Sequence, residues 1–140
     1  MAGPRPGNLS SRCEFQGLTR LMHGLEEGKV RLKVGITHLT RETGEAVLEK
    51  YVENLSGAEP STAAKPLPVG VRTGTLRDGA ELRQVNQYRA DVKNEVYYSG
   101  FIENGTVHMA PRRPLKDAVE KVSAELPGEM RDVIVEVWRV

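Results

Sequence analysis

Few residues in this 140-residue chain have the type and spacing that catalysis or metal binding needs. His23 and His38 are fifteen residues apart in a helical pattern, which is typical of surface or boundary positions. His108 could be combined with Glu103 and Asp117 into a metal site, but three scattered ligand-type residues are common in chains of this size. The sequence has no phosphate-binding glycine loop, no Gly-x-Ser-x-Gly motif, and no Cys or His pair at ligand spacing. We therefore expect no enzyme, no cofactor and no metal.

Glu103 and the arginines after it are the residues with the clearest local chemistry. Glu103 lies among bulky apolar and aromatic side chains, so its carboxylate must face solvent or have a basic partner. Arg112 or Arg113 is close enough in sequence to serve. Such a pair would hold residues 106–111 against the segment that carries Glu103. We favour this intramolecular role over a direct contact between subunits.

Composition and charge set the class of protein. The apolar fraction of 39% and the charged fraction of 28% are typical of a globular domain, and the length corresponds to about one domain. No apolar run approaches the roughly 18 residues of a membrane span, and the beginning of the chain lacks a signal-peptide core. A single cysteine, Cys13, excludes an intrachain disulfide. We expect the protein to be made in the cytoplasm and to have no membrane contact.

Two helices are predicted in the first part of the chain, after a Pro/Gly/Ser-rich arm at residues 1–12. Leu18, Met22 and Leu25 have helical spacing and predict about three turns, which Gly28 should end. A second apolar series predicts a long helix ending near Asn54. Its members are Leu32, Ile36, Leu39, Thr43, Val47, Tyr51 and Leu55.

Two glycines lie inside the long predicted helix. Gly35 and Gly44 each lower helix stability by about 1 kcal/mol relative to Ala. Either they allow close packing against another backbone, or they are weak points with no role.

Residues 56–71 predict a long loop inside a single domain at residues 13–140. Pro60, Pro66 and Pro68 exclude a helix or a central strand there. The loop has no apolar series, so we expect it to be mobile in the isolated chain and to be cut first in limited proteolysis.

A hairpin is predicted from partial period-two alternation at residues 80–88 and 90–96, with a turn at residues 86–87 or 88–89. Residues 97–104 have aromatic and apolar side chains at i, i+4 spacing and predict a short helix with Gly105 as its C-cap. A hairpin turn at residues 104–105 is the competing interpretation.

A further helix is predicted to begin at Pro114 and to end at residues 127–128. The β-branched residues 132–140 predict a strand that completes the sheet. The predicted fold class is α+β: N-terminal helices, including one long helix, packed on a small antiparallel sheet, with a further helix after the Pro-Arg-Arg-Pro segment.

Three short motifs follow each other in a fixed order. Residues 71–77 read Val-Arg-Thr-Gly-Thr-Leu-Arg, residues 97–106 read Tyr-Tyr-Ser-Gly-Phe-Ile-Glu-Asn-Gly-Thr, and residues 110–115 read Ala-Pro-Arg-Arg-Pro-Leu. In the first, Gly74 tolerates a positive φ, and the Thr-x-x-Asp pattern of residues 75–78 can cap a helical turn. The residues that the motifs single out are Arg72, Thr73, Gly74, Leu76, Arg77, Tyr97, Tyr98, Phe101, Ile102, Glu103, Gly105, Thr106, Pro111, Arg112, Arg113, Pro114 and Leu115.

The order of these motifs resembles a family of small neck proteins of long-tailed bacteriophages, the minor tail or tail-completion components that join head to tail. In that family a long helix leads to a Thr-Gly-x-Leu-Arg turn, strands, a Tyr-rich segment with Val-Glu-x-Gly-Thr, and a Pro-Arg-Pro-Phe-Leu segment that opens a helix. The resemblance implies that Leu76 is buried and that Arg77 is polar. The chain departs from the family at Arg113, which interrupts Pro-Arg-Pro, and at residues 78–80, which replace the usual Ser-Ile. The family more often continues with a helix where residues 132–140 predict a strand, so the resemblance leaves a helix open there.

The resemblance implies a structural virion protein that acts in head-tail joining. The implied partners are the protein itself in a hexameric ring around the DNA channel, neighbouring head-tail connector proteins, and tail-terminator or tail-tube proteins. DNA would pass nearby without specific binding, and the protein would move from host cytoplasm to the virion neck. We expect two different ring-forming patches, one on the long helix around Gly35 and Gly44, the other on the aromatic helix with residues 111–114.

The alternative function is a small nucleic-acid-binding module. Its contacts would come from Arg72, Arg77, Arg83, Arg89, Arg112 and Arg113. The net charge of +1 does not favour a general nucleic-acid binder, which normally has a strongly basic face.

Overall fold

The computed structural model of the chain describes residues 7–139, with side chains from Gly17 on. It has the α+β fold that the sequence predicts. The elements in chain order are α1 Gly7–Asn54, α2 Thr75–Asp78, β1 Ala80–Asn86, β2 Arg89–Asn94, α3 Ser99–Asn104, α4 Pro114–Ser123 and α5 Leu126–Trp138. Of the predicted arm, residues 1–6 lie outside the described part, and α1 already begins at Gly7. No helix in residues 7–139 is long and apolar enough to cross a membrane.

The first 48 described residues form one helix, not two. The predicted break at Gly28 is wrong because the indole ring of Trp138 covers this position: a Cβ on Gly28 would lie 2.6 Å from the Cη2 atom. The missing side chain makes room for Trp138, and this packing outweighs the low helix propensity of glycine. The helix is about 72 Å long at 1.5 Å per residue.

Gly35 and Gly44 allow close packing within the chain. A Cβ on Gly35 would lie 2.7 Å from Val133 of α5, and one on Gly44 would lie 2.8 Å from Leu82 of β1. Both neighbours are side chains, not another backbone. The two glycine positions are therefore covered by the chain itself, and the ring-forming patch expected on the α1 surface around them stays a prediction.

The core lies along the C-terminal half of α1. Leu39, Val47, Tyr51 and Leu55 are buried, and they continue the helical apolar series seen in the sequence. The last three pack with Ala118 of α4, which is fully buried. Residues packed against this cluster are Val69, Leu76, Ala80, Val92, Leu115 and Val122.

The sheet is a two-stranded antiparallel hairpin of β1 and β2. Leu82 pairs with Val92, and their side of the hairpin faces α1. The turn consists of Gln87 and Tyr88, between the two positions that the sequence left open. A register irregularity between Gln84 and Asn86 precedes it.

The C-terminal part of the chain is helical to Trp138, so the strand predicted at residues 132–140 is wrong. Pro114 begins α4 as predicted, but Pro127 belongs to the first turn of α5 and does not end α4, whose last residue is Ser123. Proline is well tolerated in the first helical turn, because the amides there have no intrahelical acceptor. In this helix Val133 packs against Gly35 of α1 and Trp138 packs against Gly28. This packing overrides the β propensity of the segment.

The loop at residues 56–71 contains neither helix nor strand, as predicted, but its two ends are joined. Gly57 and Gly70 form an isolated parallel bridge. The Gly57 amide donates to Val69 O at 2.8 Å, and the Val71 amide donates to Gly57 O at 2.9 Å. A Cβ on Gly57 would lie 2.8 Å from Val69 O, so only glycine fits this close approach. The mobility predicted for the loop between these ends stays a prediction.

Candidate partner-binding groove

The three sequence motifs contribute to one groove at the C-terminal end of α1. We call it the motif groove: it is lined by Leu55, residues 58–61, residues 69–77, Tyr98, Ile102, Met109 and Arg112, and its volume is about 770 Å³. The first motif supplies one continuous wall. The second supplies Tyr98 and Ile102, and the third supplies Arg112. Segments up to 41 residues apart in sequence therefore share a surface.

The first motif forms a tight turn followed by the single helical turn α2, as predicted, but the predicted side-chain cap is wrong: α2 begins at Thr75, its N-cap is Gly74, and no side chain caps it. Gly74 has φ 78°, a conformation that side chains disfavour, and it is buried. Leu76 packs against the core cluster, in agreement with the family resemblance. Arg77 is polar and donates to the Asp78 carboxylate at 3.2 Å. The motif thus connects the loop to β1 and directs Arg72 and Arg77 to the groove.

The second motif forms the short helix α3, and Gly105 ends it with φ 76°. The predicted C-cap is confirmed: the Gly105 amide donates to Phe101 O at 2.8 Å. Tyr97 is 86% exposed and Phe101 is 54% exposed, so neither is core. Both lie outside the motif groove; Tyr97 precedes α3 and Phe101 belongs to it, and we call these two exposed side chains the aromatic surface of α3. Thr106 is also exposed.

Glu103 does hold the third motif, but not through an arginine. Its carboxylate accepts hydrogen bonds from the backbone amides of Leu115 at 3.1 Å and Lys116 at 3.0 Å. These are the second and third residues of α4, whose amides have no acceptor within the helix. Among the described residues, no ion pair joins Glu103 to Arg112 or Arg113, so the predicted pairing is wrong. A carboxylate at the positive end of the α4 dipole replaces it.

The two arginines of the third motif have different environments. Arg112 is half-buried; its amide donates to Ile102 O at 2.9 Å, and its buried Nη1 atom has no hydrogen-bond partner. Arg113 is exposed and precedes α4 with φ 53°, the left-handed region. Pro114 is fully buried at the start of α4, whereas Pro111 is exposed. Only Arg112 of this motif lines the groove.

Asn54 supports the groove from behind, and the sequence analysis assigned it no role. Its side-chain amide donates to Pro114 O at 2.9 Å and to the Asp117 carboxylate at 2.9 Å. Its backbone carbonyl accepts from the Val69 amide at 2.7 Å. Desolvation raises the pKa of Asp117, but hydrogen bonds from Lys121 and Asn54 outweigh it, so this pKa lies below its usual value. The end of α1, the loop and α4 therefore meet at one residue, whose backbone holds the loop and whose side chain holds α4.

Charge in the motif groove is unevenly distributed. Three arginines line it, at positions 72, 77 and 112, against one carboxylate, Glu59. Arg83 and Arg89 do not line it; they lie on the hairpin, where Arg89 donates twice to Asp91 at 2.9 and 3.0 Å. The six arginines of the nucleic-acid alternative are thus divided between two parts of the chain.

The arrangement of ligand-type residues does not favour metal binding. Among the described residues, no group of three or more His, Cys, Asp or Glu side chains is placed to hold a metal ion. His108, Glu103 and Asp117 do not form such a group. The Glu103 carboxylate accepts from the Leu115 amide, whereas the Asp117 carboxylate accepts from the Asn54 side chain. His23 and His38 are exposed on α1 beside glutamates four residues later.

A second unusual surface lies on the N-terminal half of α1. Leu18, Leu21, Met22 and Leu25 share one helix face and are each more than half exposed. We call this face the free stripe. The same face of α1 is covered by the rest of the chain from Gly28 on, where Trp138 packs. The free stripe is the uncovered part before Gly28.

Comparison of the chain with protein-family models, with curated proteins and with solved structures finds no match.

Proposed function

We propose that this chain is a structural assembly protein of the neck of a long-tailed bacteriophage, acting in tail completion or head-tail joining. It would work by binding copies of itself and neighbouring neck proteins, without catalysis. The free stripe, the aromatic surface of α3 and the motif groove are its contact surfaces.

The observation that carries the assembly part of the proposal is the amount of surface that the chain exposes. The chain exposes 10807 Å². A compact monomer of 15.5 kDa exposes about 7,200 Å². Part of the difference comes from α1, one 48-residue helix whose N-terminal half carries exposed apolar side chains that a partner could cover.

The free stripe supports the same proposal. An uncovered helix face with four large apolar side chains lowers stability in water, and such faces commonly mark protein contacts. Glu26 borders it on the helix surface, and Arg20 and Glu27 lie on the opposite face. A partner that covers the stripe would gain apolar burial while the Glu26 carboxylate remains at the rim.

The neck assignment itself comes from the motif resemblance. The motifs are individually short, but together they build one groove, which is what a shared binding surface requires. The ring proposed here has six copies, because the tail tube of such virions has six-fold symmetry. Closed association requires two different patches, and the free stripe with the Tyr97 and Phe101 surface of α3 provides them.

The test is deletion of the gene from the phage or prophage that carries it. Filled heads and complete tails that fail to join are expected, and electron microscopy of the particles measures this. Complementation with Leu21→Glu should fail, whereas Arg20→Glu, a charge change at an exposed residue on the opposite face of the same helix, should restore joining. Normal infectious particles without the protein would end the neck proposal.

The nucleic-acid alternative is kept because Arg72 and Arg112 lie in one groove without a carboxylate partner among the described residues. Salt discriminates the two functions. Phosphate-driven binding to duplex DNA weakens steeply between 50 and 200 mM salt, whereas assembly through apolar surfaces persists.

A further inference from the structure

The motif groove combines a half-buried arginine that has no acceptor at one guanidinium nitrogen with a lining of both apolar and polar residues. The Nη1 atom of Arg112 is buried and has no acceptor. Arg77 already has Asp78, and Arg72 at the exposed side has no ion pair among the described residues. An unpaired buried donor is unfavourable, so the groove as it stands lacks an acceptor at Arg112.

We propose that the motif groove binds an acidic peptide segment of a partner protein. A Glu or Asp carboxylate of the segment accepts hydrogen bonds from the Arg112 guanidinium, with Arg72 adding positive charge. A neighbouring apolar side chain of the segment packs against Leu55 and Ile102. The choice of a protein partner rests on the proposed assembly function, whereas the carboxylate chemistry rests on the groove alone.

The chemistry of the lining determines the class of ligand. Guanidinium groups bind planar carboxylates through two parallel hydrogen bonds. A carboxylate would therefore supply the acceptor that the Arg112 guanidinium lacks. Tyr98 and Met109 also line the groove, and tyrosine, methionine and arginine are enriched in the centres of protein interfaces. An acidic segment with one large apolar residue therefore satisfies both parts of the lining.

A nucleic acid fits this groove less well. Phosphate recognition along a strand needs several cations in a row, and Arg77 is neutralised by Asp78 while Glu59 adds negative charge to the lining. A single carboxylate requires one guanidinium without a carboxylate partner, and Arg112 supplies it.

The experiment selects ligands from a random heptapeptide display library on the full chain. The best peptides are then synthesised and titrated by fluorescence anisotropy, each beside a version with Glu→Gln or Asp→Asn. Arg112→Gln tests the groove, and Arg113→Gln is the matched control, since it removes the adjacent charge, which is exposed and does not line the groove.

Selected peptides should carry Asp or Glu next to a large apolar residue. Arg112→Gln and the carboxamide peptides should each weaken binding at least tenfold, and Arg113→Gln less than twofold. Selected peptides without an acidic residue, or equal binding to the Arg112 and Arg113 variants, would overturn the proposal. So would a single-stranded oligothymidylate that binds more tightly than the peptides and depends on Arg112.

Failure of this inference and failure of the neck function can be distinguished. Arg112-dependent peptide binding together with normal particles from a gene deletion would retain the groove and remove the neck role. Unjoined heads and tails after deletion, with no acidic preference in the selected peptides, would retain the neck role and remove the groove ligand.

Discussion

Glu103 is expected to determine the stability of the third motif by capping α4. Replacing it with Ala removes two charge-assisted hydrogen bonds, of 3.1 and 3.0 Å, from the Leu115 and Lys116 amides. Each such bond contributes about 1.5–3 kcal/mol when buried. Because Glu103 is half-buried and Lys116 is exposed, so that water can replace part of the loss, we expect a total near the lower limit, about 2–3 kcal/mol.

Glu103→Gln keeps one acceptor oxygen but removes the charge, so it should lower the free energy of unfolding by about 1–1.5 kcal/mol. The melting temperature of the Ala variant should fall by about 6–12 °C for a chain of this size. Urea denaturation followed by circular dichroism measures the free energy. The control is Glu120→Gln, which removes an exposed pair to Lys116 at 3.9 Å and should change it by less than about 0.5 kcal/mol.

A double-mutant cycle separates capping from the arginine pair. Glu103→Gln combined with Arg112→Gln should give additive losses, with a coupling energy below about 0.5 kcal/mol. A coupling above about 1 kcal/mol would restore the ion pair. A Glu103→Ala variant as stable as the parent would refute the capping role.

Three further predictions concern other positions. Gly24→Ala should raise the free energy of unfolding by about 0.5–1 kcal/mol, because no atom lies near the added Cβ. Gly28→Ala should lower the free energy of unfolding by about 1–2 kcal/mol, because the added Cβ would overlap Trp138. Urea titration of both variants checks this contrast. Asn54→Ala should lower the free energy of unfolding by about 2–4 kcal/mol through the loss of two buried hydrogen bonds to α4, and a loss below about 1 kcal/mol would contradict their importance. Burial raises the pKa of Tyr51, so stability should be constant up to about pH 10 and fall above it as the unfolded chain ionises first; Tyr51→Phe should remove this part of the alkaline loss in thermal melts.

Local periodicity was enough to predict the buried face of α1 and the α+β class. Val47, Tyr51 and Leu55 recur every four residues, and all three are buried. The signal for α5 was also present: Met130, Val133, Ile134, Val137 and Trp138 have helical spacing. Their β-branched composition favours a strand, but it is the weaker signal when a helical stripe has a partner to pack on.

Other features depend on contacts between distant residues and could not be read from residue types. Gly28 reads as a helix break until Trp138, 110 positions later, is placed on it. The sequence indicated that Glu103 holds the third motif, but its partners are backbone amides, which every residue except proline has. The role of Asn54 likewise appears only when α4 is adjacent.

The continuity of α1 fixes the spacing between two of the proposed contact surfaces. Leu21 in the free stripe and Leu55 in the motif groove belong to one helix and its last turn, about 50 Å apart at 1.5 Å per residue. A partner bound to the free stripe and a partner bound in the motif groove are therefore held at a fixed distance by α1. Seven residues added between Leu25 and Gly28 would lengthen this distance by about 10 Å with the stripe on nearly the same side, whereas two residues added there would turn the stripe by about 200° to the opposite side.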